Sequence, residues 1–331
     1  MSIRLSLALE KGDLVLPDDG VISVLLPVPE TDLTVFPMDR VQIVQPMWPD
    51  FDHFQTMGFD CVAESDAPAA AVIVCIPRAK ALARGLIYQA CQRSTGIVVV
   101  DGVKTDGIDS LLREVRKRAP VRGPMSKAHG KIFWFDADAE TFADWKAPEI
   151  QHADGFVTAP GVFSADGIDP ASALLAASLP KKIGRNVVDL GAGWGYLTAQ
   201  LLADPKIESF DIVEADHTAL ACARQNLADP RVRFHWADAL TWKSSVRIDT
   251  VIMNPPFHTG RTADPALGRG FIAAAARILG PSGSLWMVAN RHLPYEATLT
   301  THFAQVQEAA GDGRFKILQA TRPIRSSRPR H

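Results

Sequence analysis

The sequence predicts an α/β protein, because strand-like apolar runs alternate with helical patterns along most of its 331 residues. A chain of this length has room for two domains of ordinary size. One segment of the first half also resembles a segment of the second half. We therefore expect two tandem Rossmann-like domains, each built on a mainly parallel sheet with helices on both faces.

The elements of the first half follow from the period of the apolar residues. The predicted strands are residues 21–26, 41–44, 71–76, 96–100 and 131–135. The predicted helices lie near residues 78–93 and 107–118.

The second half shows the same alternation. Its predicted strands are residues 186–190, 209–214, 232–236, 250–253, 284–289 and 315–320. Its predicted helices lie near residues 170–179, 195–203, 217–227, 265–279 and 296–309. Asp169 followed by Pro170 is typical of a helix start, with a capping side chain and then proline at the first helical position.

Two pairs of segments indicate an internal duplication. Residues 72–77 (VIVCIP) align with residues 251–256 (VIMNPP), and residues 82–87 (LARGLI) align with residues 267–272 (LGRGFI). The alternative is that any two strand–helix–strand units look somewhat alike.

If the duplication is real, the first half has lost its chemistry. Cys75 stands where the second half has Asn254, and the loop after the first strand, residues 27–32, has no glycine. Such a loop cannot let a ligand approach its backbone closely. We expect residues 1–150 to form a degenerate, cofactor-free domain that supports or recognises substrate, and residues 151–331 to form the catalytic domain.

Composition limits the partners and the compartment. A net charge of −2 and a pI near 6.5 exclude a basic nucleic-acid coat, so any RNA contact must use local patches. One arginine-rich stretch near the end is either a disordered tail or a phosphate contact: Arg322, Arg325, Arg328 and Arg330.

The four cysteines are scattered without a C-x-x-C pair, which favours buried thiols in a reducing cytosol over disulfides or a metal site. The chain has neither a signal pattern nor an apolar run of membrane-spanning length. We expect a cytoplasmic protein with no membrane contact and no metal.

A strand followed by a glycine-rich turn predicts a cofactor site at residues 187–195 (VVDLGAGWG). A dinucleotide fingerprint would need a glycine at position 196, where this chain has Tyr196, so the spacing favours S-adenosylmethionine (SAM) over NAD. The expected cofactor-binding residues in this turn are Asp189, Gly191, Ala192, Gly193 and Gly195.

Two acidic residues after the next strands extend this site. Glu214 ends a predicted strand about twenty residues further on, where its carboxylate can accept from both ribose hydroxyls. Asp216 is a rival for that role, and the position at the strand end favours Glu214. Asp238 would lie near the adenine amine.

The corner formed by Asn254, Pro255, Pro256 and Phe257 is suited to a planar nitrogen nucleophile. The Asn254 side-chain oxygen and the Pro255 carbonyl can both accept from one amino group. Phe257 offers a flat face for a base. Neighbouring His258 and Arg261 are candidate substrate contacts, although a structural histidine and a solvated arginine are the alternatives.

Three segments resemble the bacterial small-subunit ribosomal RNA guanine-N2 methyltransferases: residues 254–260 (NPPFHTG), 288–295 (VANRHLPY) and 160–169 (PGVFSADGID). The resemblance implies two tandem methyltransferase-like domains, the first degenerate and without cofactor. It implies methyl transfer from SAM to the exocyclic amine of a guanine in 16S ribosomal RNA, in the context of the 30S subunit and by a monomer. It also implies that Phe163 and Asn290 line the pocket.

The chain departs from that family at two places. Pro170, Ala171 and Ser172 follow Asp169, where Gly-Ser is usual, and Ala192 stands where cysteine is frequent. Three alternatives remain open: a large-subunit ribosomal RNA guanine methyltransferase, a release-factor glutamine methyltransferase and a non-catalytic RNA-binding protein of ribosome assembly. Phe257 and the strand-rich first half argue against the glutamine methyltransferase, which usually carries tyrosine after the two prolines.

Overall fold

The structure is a computed structural model that describes residues 3–148, 151–256, 258–259, 262–263 and 265–325. The chain divides into two compact units, Met1–Glu149 (unit 1) and Ile150–His331 (unit 2). Among the described residues, none of the helices is both long and apolar enough to cross a membrane.

Unit 1 is built on one sheet. Its strands are β1 (Ile22–Leu25), β2 (Val41–Val44), β3 (Asp60–Val62), β4 (Ala69–Cys75), β5 (Ser94–Val103), β6 (Arg122–Lys127) and β7 (Gly130–Asp136). Its α-helices are α1 (Ile3–Glu10), α2 (Trp48–Thr56), α3 (Lys80–Arg93) and α4 (Ile108–Val115). The segments Met38–Arg40, Lys104–Asp106 and Ala143–Trp145 form short 3-10 turns.

Unit 2 repeats this plan and adds two small hairpins. The hairpins are β8 (Gln151–Ala153) with β9 (Phe156–Thr158), and β14 (His258–Thr259) with β15 (Thr262–Ala263). The sheet contains β10 (Asn186–Leu190), β11 (Ser209–Glu214), β12 (Val232–Trp236), β13 (Ile248–Met253), β16 (Leu279–Asn290), β17 (Phe303–Gly311) and β18 (Phe315–Pro323). The helices are α5 (Pro170–Ser178), α6 (Tyr196–Ala199), α7 (His217–Asn226), α8 (Pro265–Ile278) and α9 (Tyr295–His302).

The strand orders confirm the predicted duplication and the α/β class. Within the described residues, the unit 1 sheet runs β3-β2-β1-β4-β5-β7-β6 and the unit 2 sheet runs β12-β11-β10-β13-β16-β18-β17. When the seven strands of each sheet are numbered in chain order, leaving out the hairpins, both sheets have the strand order 3-2-1-4-5-7-6. The first five strands of each sheet are parallel, and the last two are joined to it in antiparallel pairing.

Helices cover both faces of the unit 2 sheet. Successive strand residues point to opposite sides, so each strand presents apolar side chains to both faces. Val188 and Leu190 pack with Phe271 of α8 on one face. Val187 packs with Leu175 of α5 on the other face. Both faces of the sheet are therefore covered by apolar cores.

The helix predicted over residues 296–309 is wrong in its second half. Helix α9 ends at His302, and the following residues form β17, an edge strand that pairs with β18 from Phe303↔Pro323 to Gly311↔Lys316. Glutamine, glutamate and alanine in this segment favour a helix intrinsically, but pairing with β18 overrides that preference. The helix predicted over 195–203 is also shorter, because α6 ends at Ala199. Elements without a sequence prediction include α1, α2, β3 and β6.

Candidate active site

The glycine-rich turn and the Asn-Pro-Pro corner meet at the point where the strand order reverses. Gly191 follows β10 and Asn254 follows β13, and these two strands are neighbours, with Asp189 paired to Ile252. In open α/β sheets, ligands bind in the crevice beyond the carboxyl ends of the strands at this switch point. The two predicted motifs, about 60 residues apart in sequence, therefore flank one crevice.

The three glycines of the turn have different physical duties. All three have positive φ: +76° at Gly191, +57° at Gly193 and +90° at Gly195. A Cβ at Gly191 would lie 3.0 Å from Phe271, and one at Gly195 would lie 2.6 Å from Leu227. A Cβ at Gly193 would meet nothing within 4 Å. Gly191 and Gly195 thus serve packing, whereas Gly193 offers bare backbone to open space where a cofactor would fit.

Glu214 is held beside this backbone. Its Oε2 accepts from the Gly193 amide at 2.7 Å, and its Oε1 accepts from the Asp216 amide at 2.9 Å. Burial raises the pKa of the Glu214 carboxyl. Each carboxylate oxygen has a second lone pair, so both can still accept from a diol. The rival Asp216 instead caps α7 by accepting from the Thr218 amide at 2.9 Å.

Asp189 is buried at 1% exposure with one oxygen satisfied. Its Oδ2 accepts from the Thr198 hydroxyl at 2.8 Å and the Thr198 amide at 3.2 Å, while Oδ1 has no hydrogen-bond partner among the described residues. Burial raises the pKa of Asp189 to about 7. Buried polar atoms are normally hydrogen-bonded, so a half-satisfied carboxyl under the glycine turn fits a site that a donor or cation completes.

The Asn254 amide has a hydrogen-bonded amino group and a buried oxygen. Its Nδ2 donates to Asp169 Oδ2 at 3.0 Å and to Ser172 Oγ at 2.8 Å. A carboxylate can only accept, which assigns the amino side of Asn254 to Asp169. Among the described residues, the buried Oδ1 atom has no partner. The polarity of the amide leaves a carbonyl oxygen, and not an amino group, without a partner in this part of the chain. Pro255 is buried behind it and Pro256 is exposed.

A strap formed by residues 154–168 is tied to the glycine turn. Trp194 of the turn is buried and donates from Nε1 to the Phe163 carbonyl at 2.9 Å. Asn226 of α7 donates from Nδ2 to the carbonyls of Trp194, at 2.8 Å, and Val157, at 2.9 Å. These contacts hold the Phe163 backbone while leaving its side chain 59% exposed. An exposed ring in such a place is available to a base.

The remaining predicted residues are distributed around the same edge of the sheet. Asp238 follows β12, is half-buried and accepts from the Leu240 amide at 2.8 Å. Ala192 is half-buried within the glycine turn. Phe257 and Arg261 lie outside the described residues, and His258 belongs to β14 but its side chain is outside the described part.

Asn290 ends β16 and lies in a groove of about 560 Å³. The groove is also lined by Arg291, His292, Arg314 and Phe315. The Arg314 guanidinium lies over the Phe315 ring, 5.1 Å from its centroid, in a cation–π contact.

Sequence reasoning missed Asp169, Ser172, Trp194 and Asn226 as parts of the site. Asp169 was recognised only as a helix cap, although it closes the family-like segment 160–169. In the described ranges, no group of three His, Cys, Asp or Glu side chains is arranged to hold a metal ion.

The fold and this site define the class as a methyltransferase. Residues 154–319, half of the chain, match the family model described as "Methyltransferase small domain". A solved structure titled "T. Thermophilus 16S rRNA N2 G1207 methyltransferase (RsmC) in complex with AdoMet and Guanosine" has the same fold. Its TM-score is 0.75 at 23% identity, over 94% of this chain and 90% of that one.

Two curated relatives narrow the class. A protein of Shewanella pealeana named "Ribosomal RNA small subunit methyltransferase C" is 32% identical over 79% of this chain and 80% of its own length. A Hahella chejuensis protein of the same name is 29% identical over 80% of both chains. The chain belongs to the ribosomal RNA small subunit methyltransferase C family.

Proposed function

We propose that the chain transfers a methyl group from SAM to the exocyclic N2 amine of a guanine in 16S ribosomal RNA. The observation that carries the proposal is the Asn254 amide. Its Oδ1 is buried with no partner in the part of the chain that the structure describes, while its Nδ2 donates to Asp169 and Ser172. An acceptor of this kind beside the glycine turn fits an amino group. Family membership supports ribosomal RNA as the substrate class.

The chain contributes mainly orientation and electrostatics. A guanine amine is a poor nucleophile because its lone pair is delocalised into the ring. Asn254 Oδ1 and the Pro255 carbonyl would each accept one amine hydrogen, which favours pyramidal nitrogen and directs its lone pair. Phe257 would stack on the base. Orientation of this kind is worth about 7–11 kcal/mol of a reaction barrier in favourable cases.

The residues described above would contact different parts of the cofactor. When bound, SAM supplies a methyl group activated by a sulfonium leaving group. The Gly193 backbone would lie beneath it, Glu214 would accept from its ribose hydroxyls and Asp238 would lie near its adenine. The base would be presented single-stranded or flipped out, because the corner cannot reach an amine inside a stacked duplex.

Finer assignments concern the acceptor, the state of the enzyme, unit 1 and the arginines beside Asn290. The acceptor is 16S RNA within the 30S subunit, and the enzyme works as a cytoplasmic monomer without a metal. Unit 1 supports or recognises the substrate and binds no cofactor. The arginines of the groove beside Asn290, Arg291 and Arg314, would contact RNA phosphates near the target base.

The test is to incubate the protein with methyl-labelled SAM and, in parallel, 30S subunits, 50S subunits, protein-free 16S RNA and a release factor. The expected result is label in 30S RNA that nuclease digestion identifies as N2-methylguanine. Label in 50S RNA or in a release-factor glutamine would assign one of the rival activities. Absence of SAM binding by calorimetry would favour the non-catalytic RNA-binding protein.

A further inference from the structure

The start of helix α5 contacts the corner that follows β13. Asp169 caps the helix by accepting from the Ser172 amide at 2.8 Å. The same Asp169 oxygen accepts from Asn254 Nδ2, and the Ser172 hydroxyl accepts from that nitrogen as well. Two residues of one helical turn thus occupy the amino side of the Asn254 amide, from positions more than 80 residues away in sequence.

We propose that Asp169 and Ser172 are positioning residues that fix the polarity of Asn254, so that the corner accepts hydrogen bonds and cannot donate them. The inference rests on the proposed function and deepens it. It assigns selection of an amine nucleophile, rather than a carbonyl or a ring nitrogen without hydrogen, to the first turn of α5.

The need for such a lock follows from the chemistry of an amide. The terminal torsion of asparagine is broad and roughly two-fold, so an untethered side chain can exchange its oxygen and its nitrogen. Nδ2 in place of Oδ1 would direct a donor at an amine that itself donates. Asp169 excludes that state, because a flipped Oδ1 would face its carboxylate, which has no hydrogen to give. The Ser172 hydroxyl can accept or donate, so it adds a second anchor for the amide once Asp169 has set its polarity.

The lock is held by a rigid element. Ala171 and Leu175 of α5 are 2% and 0% exposed in the core, and Pro170 fixes the backbone at the first helical position. Ser172 is itself buried, at 7% exposure. Catalytic geometry supported by packed helices is more precise than geometry held by loops.

Ser172→Ala is the most direct test, because it removes one acceptor and leaves the backbone amide that Asp169 caps. We expect kcat to fall about 10- to 100-fold, with the Kd for SAM and the KM for SAM within about twofold of the parent. The matched control is Ser178→Ala on the same helix, whose hydroxyl donates to the Leu174 carbonyl at 2.7 Å and not to the site. The control should retain the parental kcat.

A double-mutant cycle separates positioning from general damage. If Ser172 acts through Asn254, Ser172→Ala should cause no further loss of rate in an Asn254→Ala background. An equal loss in both backgrounds would overturn the proposal, as would a parental kcat in Ser172→Ala or a loss confined to SAM affinity. Asp169→Asn keeps a good helix cap but can offer a donor, and we expect it to lower kcat as well.

A readout independent of activity is available because the chain has only four asparagines: Asn186, Asn226, Asn254 and Asn290. Selective 15N-asparagine labelling gives four side-chain amide signals, and Asn254→Ala assigns the relevant one. In the parent protein, the Asn254 amino protons should exchange slowly with water, and Ser172→Ala should accelerate that exchange at least about tenfold. Equal exchange in the two proteins would overturn the lock. This result is obtained even if no methyl acceptor is found, in which case the proposed function fails by itself.

Discussion

The two units share one strand order but differ in the residues at the ends of their strands. Leu26 occupies the place of Gly191. Its amide donates to the Val44 carbonyl at 3.0 Å, as the Gly191 amide donates to the Val213 carbonyl at 2.8 Å. Leu26 even keeps the positive φ, +54° against +76° for Gly191. The two turns therefore begin with the same backbone path, although unit 1 has leucine where unit 2 has glycine.

The next strand end carries a different polar side chain in each unit. Gln45 follows β2 as Glu214 ends β11, and both accept through Oε1 from the amide two residues on, at 3.0 Å and 2.9 Å. The second polar atom differs. Gln45 Nε2 donates to the Pro27 carbonyl at 2.7 Å, whereas Glu214 Oε2 accepts from the Gly193 amide. At this position unit 1 has an amide that donates into its own loop, whereas unit 2 has a carboxylate that can only accept.

The helix before the first strand makes the clearest contrast. In unit 1, Arg4 of α1 donates to both oxygens of Asp101, and the two side chains are buried together. In unit 2, Asp169 and Ser172 bind the Asn254 amino group, while its oxygen has no hydrogen-bond partner within the described ranges. The Arg4–Asp101 ion pair uses its polar atoms within the fold. Buried polar atoms without a hydrogen-bond partner are instead typical of functional sites.

The largest difference between the units should come from Asn254→Ala. We expect turnover to fall by orders of magnitude while the affinity for SAM changes little, because the acceptor meets the amine and not the cofactor. The measurement is single-turnover methyl transfer with calorimetry in parallel. Cys75→Ala, at the equivalent position of unit 1, is the control and should leave turnover unchanged. An active Asn254→Ala enzyme would contradict the role assigned to this residue.

Arg4→Met should damage stability without touching chemistry. Removing the guanidinium takes the counter-ion from the buried Asp101 carboxylate, which typically costs about 3–5 kcal/mol of unfolding free energy. Denaturant unfolding measures the loss, and methyl transfer per folded molecule should be unchanged. Adding Asp101→Asn should restore part of the stability, because the buried charge is then gone. A change in SAM affinity would show that the two units are not functionally separate.

Gly193→Ala should weaken the cofactor site more than the fold. The new Cβ enters open space, so packing does not suffer, but it lies where the cofactor would approach the backbone. We expect the Kd for SAM to rise about tenfold or more, and the positive φ to cost about 1 kcal/mol. Gly107→Ala in unit 1 is a matched control, with φ +88° and nothing within 4 Å. It should show the stability cost alone; equal SAM affinity in both variants would place the cofactor elsewhere.

The last prediction concerns Asp189, whose counterpart in unit 1 is Val24. Asp189 pairs with Ile252 in unit 2, and Val24 pairs with the equivalent Ile73 in unit 1. Burial raises the pKa of Asp189 from 3.8 to about 7, so the folded state binds a proton that the unfolded state has released. This contribution to stability is complete below about pH 4 and is lost as pH rises through about 7.

Asp189→Asn should flatten that part of the pH profile. Thermal unfolding of the parent and the variant between pH 4 and pH 8 tests it, because the difference in Tm between the two proteins should change as the pH rises toward 7. A constant difference in Tm would mean that Asp189 is ionised throughout.

Local sequence patterns predict most of the helices and strands. Strands β10, β11 and β12 have the predicted bounds because each is an apolar run between turn residues. The prediction of a helix over residues 303–309 is wrong. Its side chains favour a helix, but the segment is an edge strand because it pairs with β18. The crevice followed from motifs at strand ends. The Asp169–Asn254 contact did not, because it joins residues 85 positions apart and no local pattern encodes it.

The central claim is that only one of two homologous sheets kept a cofactor site. Titration of the full chain with SAM by calorimetry tests it most directly. The account predicts one site per chain, weakened by Gly193→Ala and untouched by Gly107→Ala. Two equivalent sites, or a single site that survives Gly193→Ala at parental affinity, would contradict it.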